Sequence, residues 1–428
     1  MELDLIPRNV TGLARKTLDD TPITVISGAR QVGKSTLMQQ LVQGRETRLV
    51  NLDNFGDRSA AQADPDGFAS QYPQGLLAID EIQRVPELLT SLKASVDRDR
   101  RPGRFIVTGS ADLLSLRGAQ ESLAGRAETI PLEGFSRDEL SGRIADFAAF
   151  AWALPSSEMP ADRRGISRRE YLEMAATPAF PEARLRLGRS RDRWLSGYVD
   201  RLLSKDAGEA TGIQYPDRLA TLLSLLAARN SGEFVASHVG RELDIPARSI
   251  PAYLEALRSL FFVRVTPGWS NNIARRAVSK PKVSLTDTGL AAHLSEVDVD
   301  GLEKAVSSSL TGGLVEGFVI GELEKQRSWS TKKTRMFHYR DDHGREIDIV
   351  LEDRRRDIVG IEVKASSSPR SEDFKGLRYM RDKLGERFVA GIVLHTGERS
   401  LPFGDRLWAL PISTLWDHTT PEFVPAPE

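Results

Sequence analysis

The sequence predicts an α/β protein of two or three folding units. A parallel sheet with flanking helices fills the N-terminal third, helices with a short ribbon fill the middle, and a second α/β core fills the C-terminal third. Three observations predict this. A β-branched run, Ile23-Thr24-Val25-Ile26-Ser27, passes into a glycine loop and then into Leu37, Met38, Leu41 and Val42 at helical spacing. Two further apolar runs, 76–80 and 104–108, end in small polar or acidic residues, as parallel strands do at their carboxyl edges. Near the C-terminus, 346–351 and 358–364 alternate with the period of two that marks strands. A chain of 428 residues accommodates these as units 1–150, 151–300 and 301–428.

Composition narrows the function classes. A hydrophobic fraction of 40% with 28% charged residues is that of a globular chain with ample core material. Lys and Arg number 59 against 60 Asp and Glu, so a net charge of −1 exerts no overall pull toward nucleic acid or anionic membranes. Along the chain the balance shifts: 18 basic and 21 acidic residues in 1–150, 21 and 18 in 151–300, and 20 and 21 in 301–428. The basic excess gathers between Arg163 and Lys205, with 11 basic and five acidic residues, among them Arg184, Arg186, Arg189, Arg191 and Arg193. Such a run is either a solvated helix face or a phosphate contact. Zero cysteines exclude disulfides, thiolate metal sites and a Cys nucleophile. Met1 to Asp20 lacks the apolar stretch of a signal peptide, and no window reaches the roughly 18 consecutive apolar residues of a membrane span. A cytoplasmic protein with no membrane partner is expected.

The first strand leads to Gly28-Ala29-Arg30-Gln31-Val32-Gly33-Lys34-Ser35, followed by Thr36, which fits G-x-x-x-x-G-K-[ST] between a strand and a helix. Glycines let backbone N–H groups curl around phosphates, and the helix N-terminus adds its dipole. Lys34 would reach the β- and γ-phosphates, and the Ser35 hydroxyl would ligate Mg²⁺. About fifty residues on, Leu76-Leu77-Ala78-Ile79-Asp80-Glu81 offers Asp80 for the magnesium shell and Glu81 to polarise a water. If the strand Arg104 to Thr108 inserts between the other two, Thr108 or Ser110 faces the γ-phosphate. Arg126, after Leu123-Ala124-Gly125, is either an arginine finger acting in cis or from a neighbour, or a surface salt bridge.

After a linker-like stretch from Pro155 to Arg164, helices are predicted at 215–229, 235–243 and 246–260, then strands beginning at Phe261 and Pro281. Three helices and a two-stranded ribbon outline a winged-helix-like middle, with Ala247-Arg248-Ser249 at the start of a recognition helix and Arg275, Arg276, Lys280 and Lys282 near the ribbon. Packing or protein docking is the alternative use of such a unit.

In the last third, Leu314, Val315, Phe318, Val319 and Leu323 form a helical stripe beside Glu316. Alternation puts Asp348 on the face away from Ile347 and Ile349, and puts Glu362 and Lys364 together, away from Ile361 and Val363. A helix at 372–384 and a strand at 387–394 complete an αβββαβ order. His338 and His343 flank the Asp341-Asp342 turn without metal-ligand spacing.

The first segments resemble the AAA-type P-loop ATPases, and more narrowly a bacterial and archaeal family joining such a domain to an uncharacterised C-terminal module with a nuclease-like core. The residues that carry this are GARQVGKST at 28–36, NLDN at 51–54, LLAIDEIQRVPEL at 76–88, FIVTGS at 105–110, LAGRAETIPL at 123–132 and KVSLTDTGLAAHL at 282–294. The resemblance implies a P-loop ATPase parallel sheet, ATP over GTP, and ATP-site roles for Lys34, Ser35, Asp80 and Glu81, with Thr108 or Ser110 as sensor. It also implies a homo-oligomer or a regulatory protein partner.

The C-terminal order resembles the PD-(D/E)-x-K nucleases, a restriction-endonuclease-like core, with Asp348 as the D and Glu362-Val363-Lys364 as E-x-K. No proline precedes Asp348; Ile347 stands there. This resemblance implies that Asp348 and Glu362 hold Mg²⁺ on DNA or RNA, with Glu316 completing the shell, and that Lys364 activates water. Three functions are consistent with the whole: an ATPase controlling a nucleic-acid-processing domain, a non-catalytic ATP-driven switch, and a toxin-like nuclease restrained by a partner.

Overall fold

The computed structural model describes residues 5–110, 123–162, 165–206, 216–276, 279–304 and 308–418. Arg163 and Arg164 of the expected linker, the side chain of Arg275 and the Pro-rich end of the chain lie outside the described residues.

The N-terminal third runs α1 (Thr11–Asp20), β1 (Ile23–Ser27), α2 (Lys34–Val42), β2 (Thr47–Asn51), α3 (Phe55–Ala63), α4 (Pro65–Ser70), β3 (Leu76–Asp80), α5 (Leu88–Arg98), β4 (Phe105–Gly109) and β5 (Ala127–Pro131). All five strands are parallel, in the order β2-β3-β4-β1-β5. β1, β3 and β4 are buried at every position, because helices cover both faces; continuous apolar runs are the result. The insertion of β4 between β1 and β3 is the order on which the placement of Thr108 and Ser110 depends.

The middle comprises α6 (Phe147–Ala153), α7 (Arg168–Ala176), α8 (Arg189–Arg201), α9 (Pro216–Ala228), β6 (Gly232–Glu233), α10 (Ala236–Glu242), α11 (Ile250–Ser259), β7 (Val263–Thr266), β8 (Lys282–Leu285) and α12 (Thr288–Leu294). The expected boundary at 150 falls inside α6. β8 lies between β6 and β7 in a small antiparallel sheet; β6, two residues long, carries no sequence signal.

The C-terminal third runs α13 (Ser309–Trp329), β9 (Thr334–Arg340), β10 (Glu346–Asp353), β11 (Ile358–Lys364), α14 (Lys375–Leu384), β12 (Phe388–His395), β13 (Leu401–Gly404) and β14 (Leu407–Pro411). The six strands are ordered β13-β14-β12-β11-β10-β9, with β9 to β11 antiparallel and β11, β12 and β14 parallel. The αβββαβ order is present, extended by the β13–β14 pair. β10 and β11 are buried almost throughout, so the polar face expected from their alternation is covered rather than solvated. No helix of the described residues is long and apolar enough to cross a membrane.

One apolar cluster unites the three thirds, from Val10 and Ile26 through Leu219 and Val283 to Ile361 and Trp416. Two devices press the middle onto the C-terminal unit. Asn230 donates to the carbonyl of Gly313 at 2.8 Å and accepts from the N–H of Leu285 at 2.8 Å. A Cβ on Gly313 would stand 2.2 Å from the Asn230 carbonyl oxygen, and one on Gly317 would stand 2.2 Å from its Nδ2. Helix α13 thus carries glycines, at a propensity cost of about 1 kcal/mol each, where it meets Asn230. The second device is the loop between β7 and β8. Trp269 N–H donates to the His338 carbonyl at 2.6 Å, and His338 N–H to that of Pro267 at 3.0 Å. Arg276 meets Glu352 through two bonds of 2.5 and 2.9 Å, with the Glu352 side chain wholly buried.

Removing one partner of a buried pair strands the other charge. Glu352→Ala is therefore expected to lower unfolding stability by about 3 kcal/mol. Glu255→Ala, which breaks the exposed pair with Arg258, is expected to cost less than about 1 kcal/mol. Urea unfolding of both variants checks the contrast.

Candidate functional site

At the end of β1 the chain enters the glycine loop under tight packing: a Cβ on Gly28 would stand 2.0 Å from the Leu132 carbonyl oxygen. Gln31 and Gly33 adopt left-handed backbone, with φ of 63° and 97°, and no side chain caps the N-terminus of α2 at Gly33. Lys34 is buried, and its ammonium donates to the carbonyls of Gly28 at 3.0 Å and Ala29 at 2.8 Å. Burial, offset in part by the charges of Glu81 and Asp80, brings its pKa down to about 8. A buried ammonium whose partners among the described residues are carbonyls, beside a helix start without a side-chain cap, fits an incoming phosphate. Ser35 and Thr36 stand half-buried in the first turn of α2.

β3 and β4 bring the remaining residues to the same edge. Asp80 accepts the Thr108 hydroxyl, and the Glu81 N–H donates to Thr108 Oγ1 at 3.1 Å. Glu81 sits at a left-handed φ of 59° just past the strand. Its carboxylate accepts from Ser110 Oγ at 3.2 Å and from the amide of Gln83, which also reaches Ser110 at 2.8 Å. The acid, the water-orienting candidate and both sensor candidates therefore form one hydrogen-bonded set.

Three supports of the loop escape a motif reading. Arg8 donates to the carbonyls of Val32 at 2.8 Å and Glu133 at 2.6 Å and pairs with Glu139 at 3.1 Å. Tyr198, from α8, places its hydroxyl 3.4 Å from the Arg30 carbonyl. Gln83 restrains Glu81 as described. Only Gln83 lay inside a recognised segment; the other two come from positions without local pattern.

Arg126 requires correction as a finger in cis. It immediately precedes Ala127, which pairs with Ile23 at the amino edge of β1, whereas the loop leaves the carboxyl edge. There Arg126 binds Asp97 at 2.6 and 3.0 Å, the surface salt bridge that was its alternative.

The acidic residues of the C-terminal unit meet in a cleft of about 460 Å³ between that unit and the middle. Its floor holds Glu316 from α13, Glu346 and Asp348 from β10, and Glu362 and Lys364 from β11; Asn230, Glu233 and Lys282 come from the middle. β10 shifts register between Ile347 and Val350, a bulge that redirects Asp348. One Asp348 oxygen accepts the Val363 N–H at 2.9 Å. The other accepts from Lys282, whose ammonium lies 2.8 Å from Glu316, 2.9 Å from Glu346 and 3.0 Å from Asp348. Lys364 donates to Glu362 Oε1 at 2.9 Å, while Glu362 Oε2 is buried without a partner.

Burial opposes charge on Lys282, Asp348, Glu316 and Glu362. It would lower Lys282, but Asp348, Glu316 and Glu346 hold it well above its usual value. It would raise Asp348, but Lys282 and the Val363 N–H keep that carboxylate below its usual range. Burial and the charge of Asp348 push Glu316 well up and Glu362 up to about 8. The expected metal set of Glu316, Asp348 and Glu362 is thus brought together, yet it does not fit an ion as arranged. Among the described residues no group of three or more His, Cys, Asp or Glu could hold a metal, and the Lys282 ammonium lies within 3.0 Å of Glu316, Glu346 and Asp348.

The ribbon also differs from expectation. Arg276 pairs with Glu352, Lys282 enters the cleft, and the Lys280 carbonyl contacts His338 at 2.9 Å, so these described residues of the loop are engaged within the protein. Arg248 is exposed before α11. In the basic stretch, Arg168 donates to the Ala365 carbonyl at 2.8 Å, Arg186 pairs with Glu182 at 2.6 Å, and Arg191 caps backbone carbonyls.

Residues 20–141 match the family described as "AAA domain"; 168–301 and 311–415 match two described as domains of unknown function (DUF8612 and DUF4143). Two uncharacterised proteins, from Mycobacterium bovis and Mycobacterium tuberculosis, are each 29% identical over 412 residues, 95% of this chain and 84% of theirs. A solved Walker-type ATPase of Pyrococcus abyssi has a TM-score of 0.41 and 16% identity, covering 68% of this chain and 96% of its own. The chain therefore carries an ATPase-like AAA domain, followed by two regions similar to families of unknown function.

Proposed function

We propose that the protein binds and hydrolyses ATP and that its nucleotide state controls the C-terminal nuclease-like, nucleic-acid-interacting domain. The observation that carries this reading is β8. Just past its carboxyl end, Thr286 and Asp287 line a cavity of about 80 Å³ together with Gly28, Ala29 and Val32 of the glycine loop. At its amino end, Lys282 enters the carboxylate cleft. Four extended residues span only ~13 Å; all four pair with β7, and Lys282 and Val283 also pair with β6, so β8 links the loop side to the cleft side over a short, sheet-bound path.

In the ATP reaction Lys34 exchanges the Gly28 and Ala29 carbonyls for β- and γ-phosphate oxygens. Ser35 and Asp80 would hold Mg²⁺, which neutralises charge between those phosphates. Glu81 orients the attacking water, and Gln83 and Ser110 keep its carboxylate from swinging. Thr108, bonded to Asp80 and to the Glu81 N–H, reads the γ-phosphate position alongside Ser110.

A second reading is favoured by Lys282. With an ammonium already among the carboxylates, the C-terminal unit would dock nucleic acid or protein without cutting, and ATP would switch that docking.

Lys34→Ala is expected to reduce ATP turnover at least about 100-fold. Glu81→Gln is expected to keep nucleotide binding and slow hydrolysis by about 10²-fold or more; steady-state turnover and a fluorescent-nucleotide titration check both. ATP affinity is expected to be level below pH 8 and to weaken above it, since the free protein must then take up a proton on Lys34 to bind phosphate. The titration repeated across that range tests the sign, and affinity unchanged at higher pH would refute it. For the C-terminal site, cleavage of single- and double-stranded DNA and RNA with Mg²⁺ or Mn²⁺ is compared with and without ATP. Loss of cleavage in both Asp348→Ala and Lys364→Ala is expected, and Lys34→Ala should remove its ATP dependence. No cleavage with ATPase intact would select the docking switch.

A further inference from the structure

We propose that Lys282 is a tethered cation that stands in for a divalent metal ion in the C-terminal cleft, so that the cleft binds metal only when this side chain withdraws. The proposal rests on the reading of Asp348, Glu316 and Glu362 as metal-site residues.

Three observations converge on it. The ammonium touches oxygens of Glu316, Glu346 and Asp348 at 2.8 to 3.0 Å, with the lysine side chain only 5% exposed. A metal ion bridging Glu316 and Asp348 would lie at roughly 2.0–2.6 Å from the same oxygens; the two cations cannot share that space. Second, the lysine comes from β8 of the middle, 66 residues from Asp348 in sequence. The ammonium is therefore carried by a different element from the carboxylates it meets. Third, the remaining donors stay arranged without it. Asp348 is anchored by the Val363 N–H and Glu362 by Lys364; Glu362 lines the same cleft, and its Oε2 is buried and has no hydrogen-bond partner among the described residues. A lysine that merely neutralised a surplus carboxylate would not account for that orphaned oxygen, which a cation seated beside Asp348 would satisfy.

The test is isothermal titration of Mn²⁺ into the full chain without nucleotide, with Asp348→Asn as the blank for binding elsewhere. Lys282→Met is expected to bind Mn²⁺ at the cleft at least about tenfold more tightly than wild type, and Asp348→Asn in that background should abolish the gain. Melting temperature with and without Mn²⁺ gives an independent readout: the variant should be stabilised by the ion more than wild type. Should Lys282→Met fold poorly, Lys282→Met/Glu346→Gln removes one of the carboxylates left without a counter-charge and is titrated instead. Equal Asp348-dependent binding by wild type and variant would overturn the tethered cation while leaving the metal site standing. Absence of binding in wild type and in a folded variant would overturn both.

Discussion

Taking an ammonium out of water costs several kcal/mol unless carboxylates meet it, and Lys282 meets three. That requirement governs how the middle sits on the C-terminal unit. β8 must lie close enough to α13 and β10 for a lysine to span the gap, and the neighbouring contacts serve that distance. Asn230 bonds to both β8 and α13, the glycines of α13 let it in, and the loop leading into β8 is clamped to β9 at His338. The Arg276–Glu352 pair closes the same seam from the other end of the loop. Each contact would be expendable alone; together they keep a charge from being left unpaired.

The other buried lysine shows the opposite environment. Among the described residues Lys34 has carbonyl partners and its proton is loosened, to about 8, whereas three carboxylates tighten the proton of Lys282. Desolvation acts on both; the partners decide the sign. A lysine whose charge lacks an anion is prepared for phosphate, and a lysine already among anions has its ligands. This contrast separates a lysine held by backbone carbonyls from one whose charge is already met by carboxylates.

The glycine loop was legible because its residues are contiguous and each has a local reason. Asp80, Glu81, Thr108 and Ser110 were legible one step later, since their position follows once β4 is inserted between β1 and β3. Arg126 stays ambiguous in sequence, finger or surface salt bridge, because its place depends on where β5 begins relative to β1: pairing Ala127 with Ile23 sets it at the amino edge. Arg8 and Tyr198 act on loop carbonyls from 24 and 168 residues away, and a backbone acceptor leaves no mark on composition. The alternation in β10 and β11 located Asp348, Glu362 and Lys364 on strands, yet it could not report that Lys282 covers their face. Lys282 itself reads as a ribbon cation because its partners Glu316 and Asp348 lie 34 and 66 residues away in sequence.

Charge in the cleft also limits what can enter. Its lining carries four cationic side chains, Arg229, Lys282, Arg340 and Lys364, against five carboxylates, Glu233, Glu316, Glu346, Asp348 and Glu362. Arg229 is engaged by Glu242 and Arg340 by Glu233, so neither gives the entrance a strong positive field. Burial holds Glu316 and Glu362 toward their neutral forms, so a phosphate approaching this floor is repelled by Asp348 unless a cation, lysine or metal, stays between them. Exchanging one cation for another is therefore a gentler route than emptying the site, and a strand that moves Lys282 by a few ångströms would change the charge a ligand meets while the carboxylates remain in place.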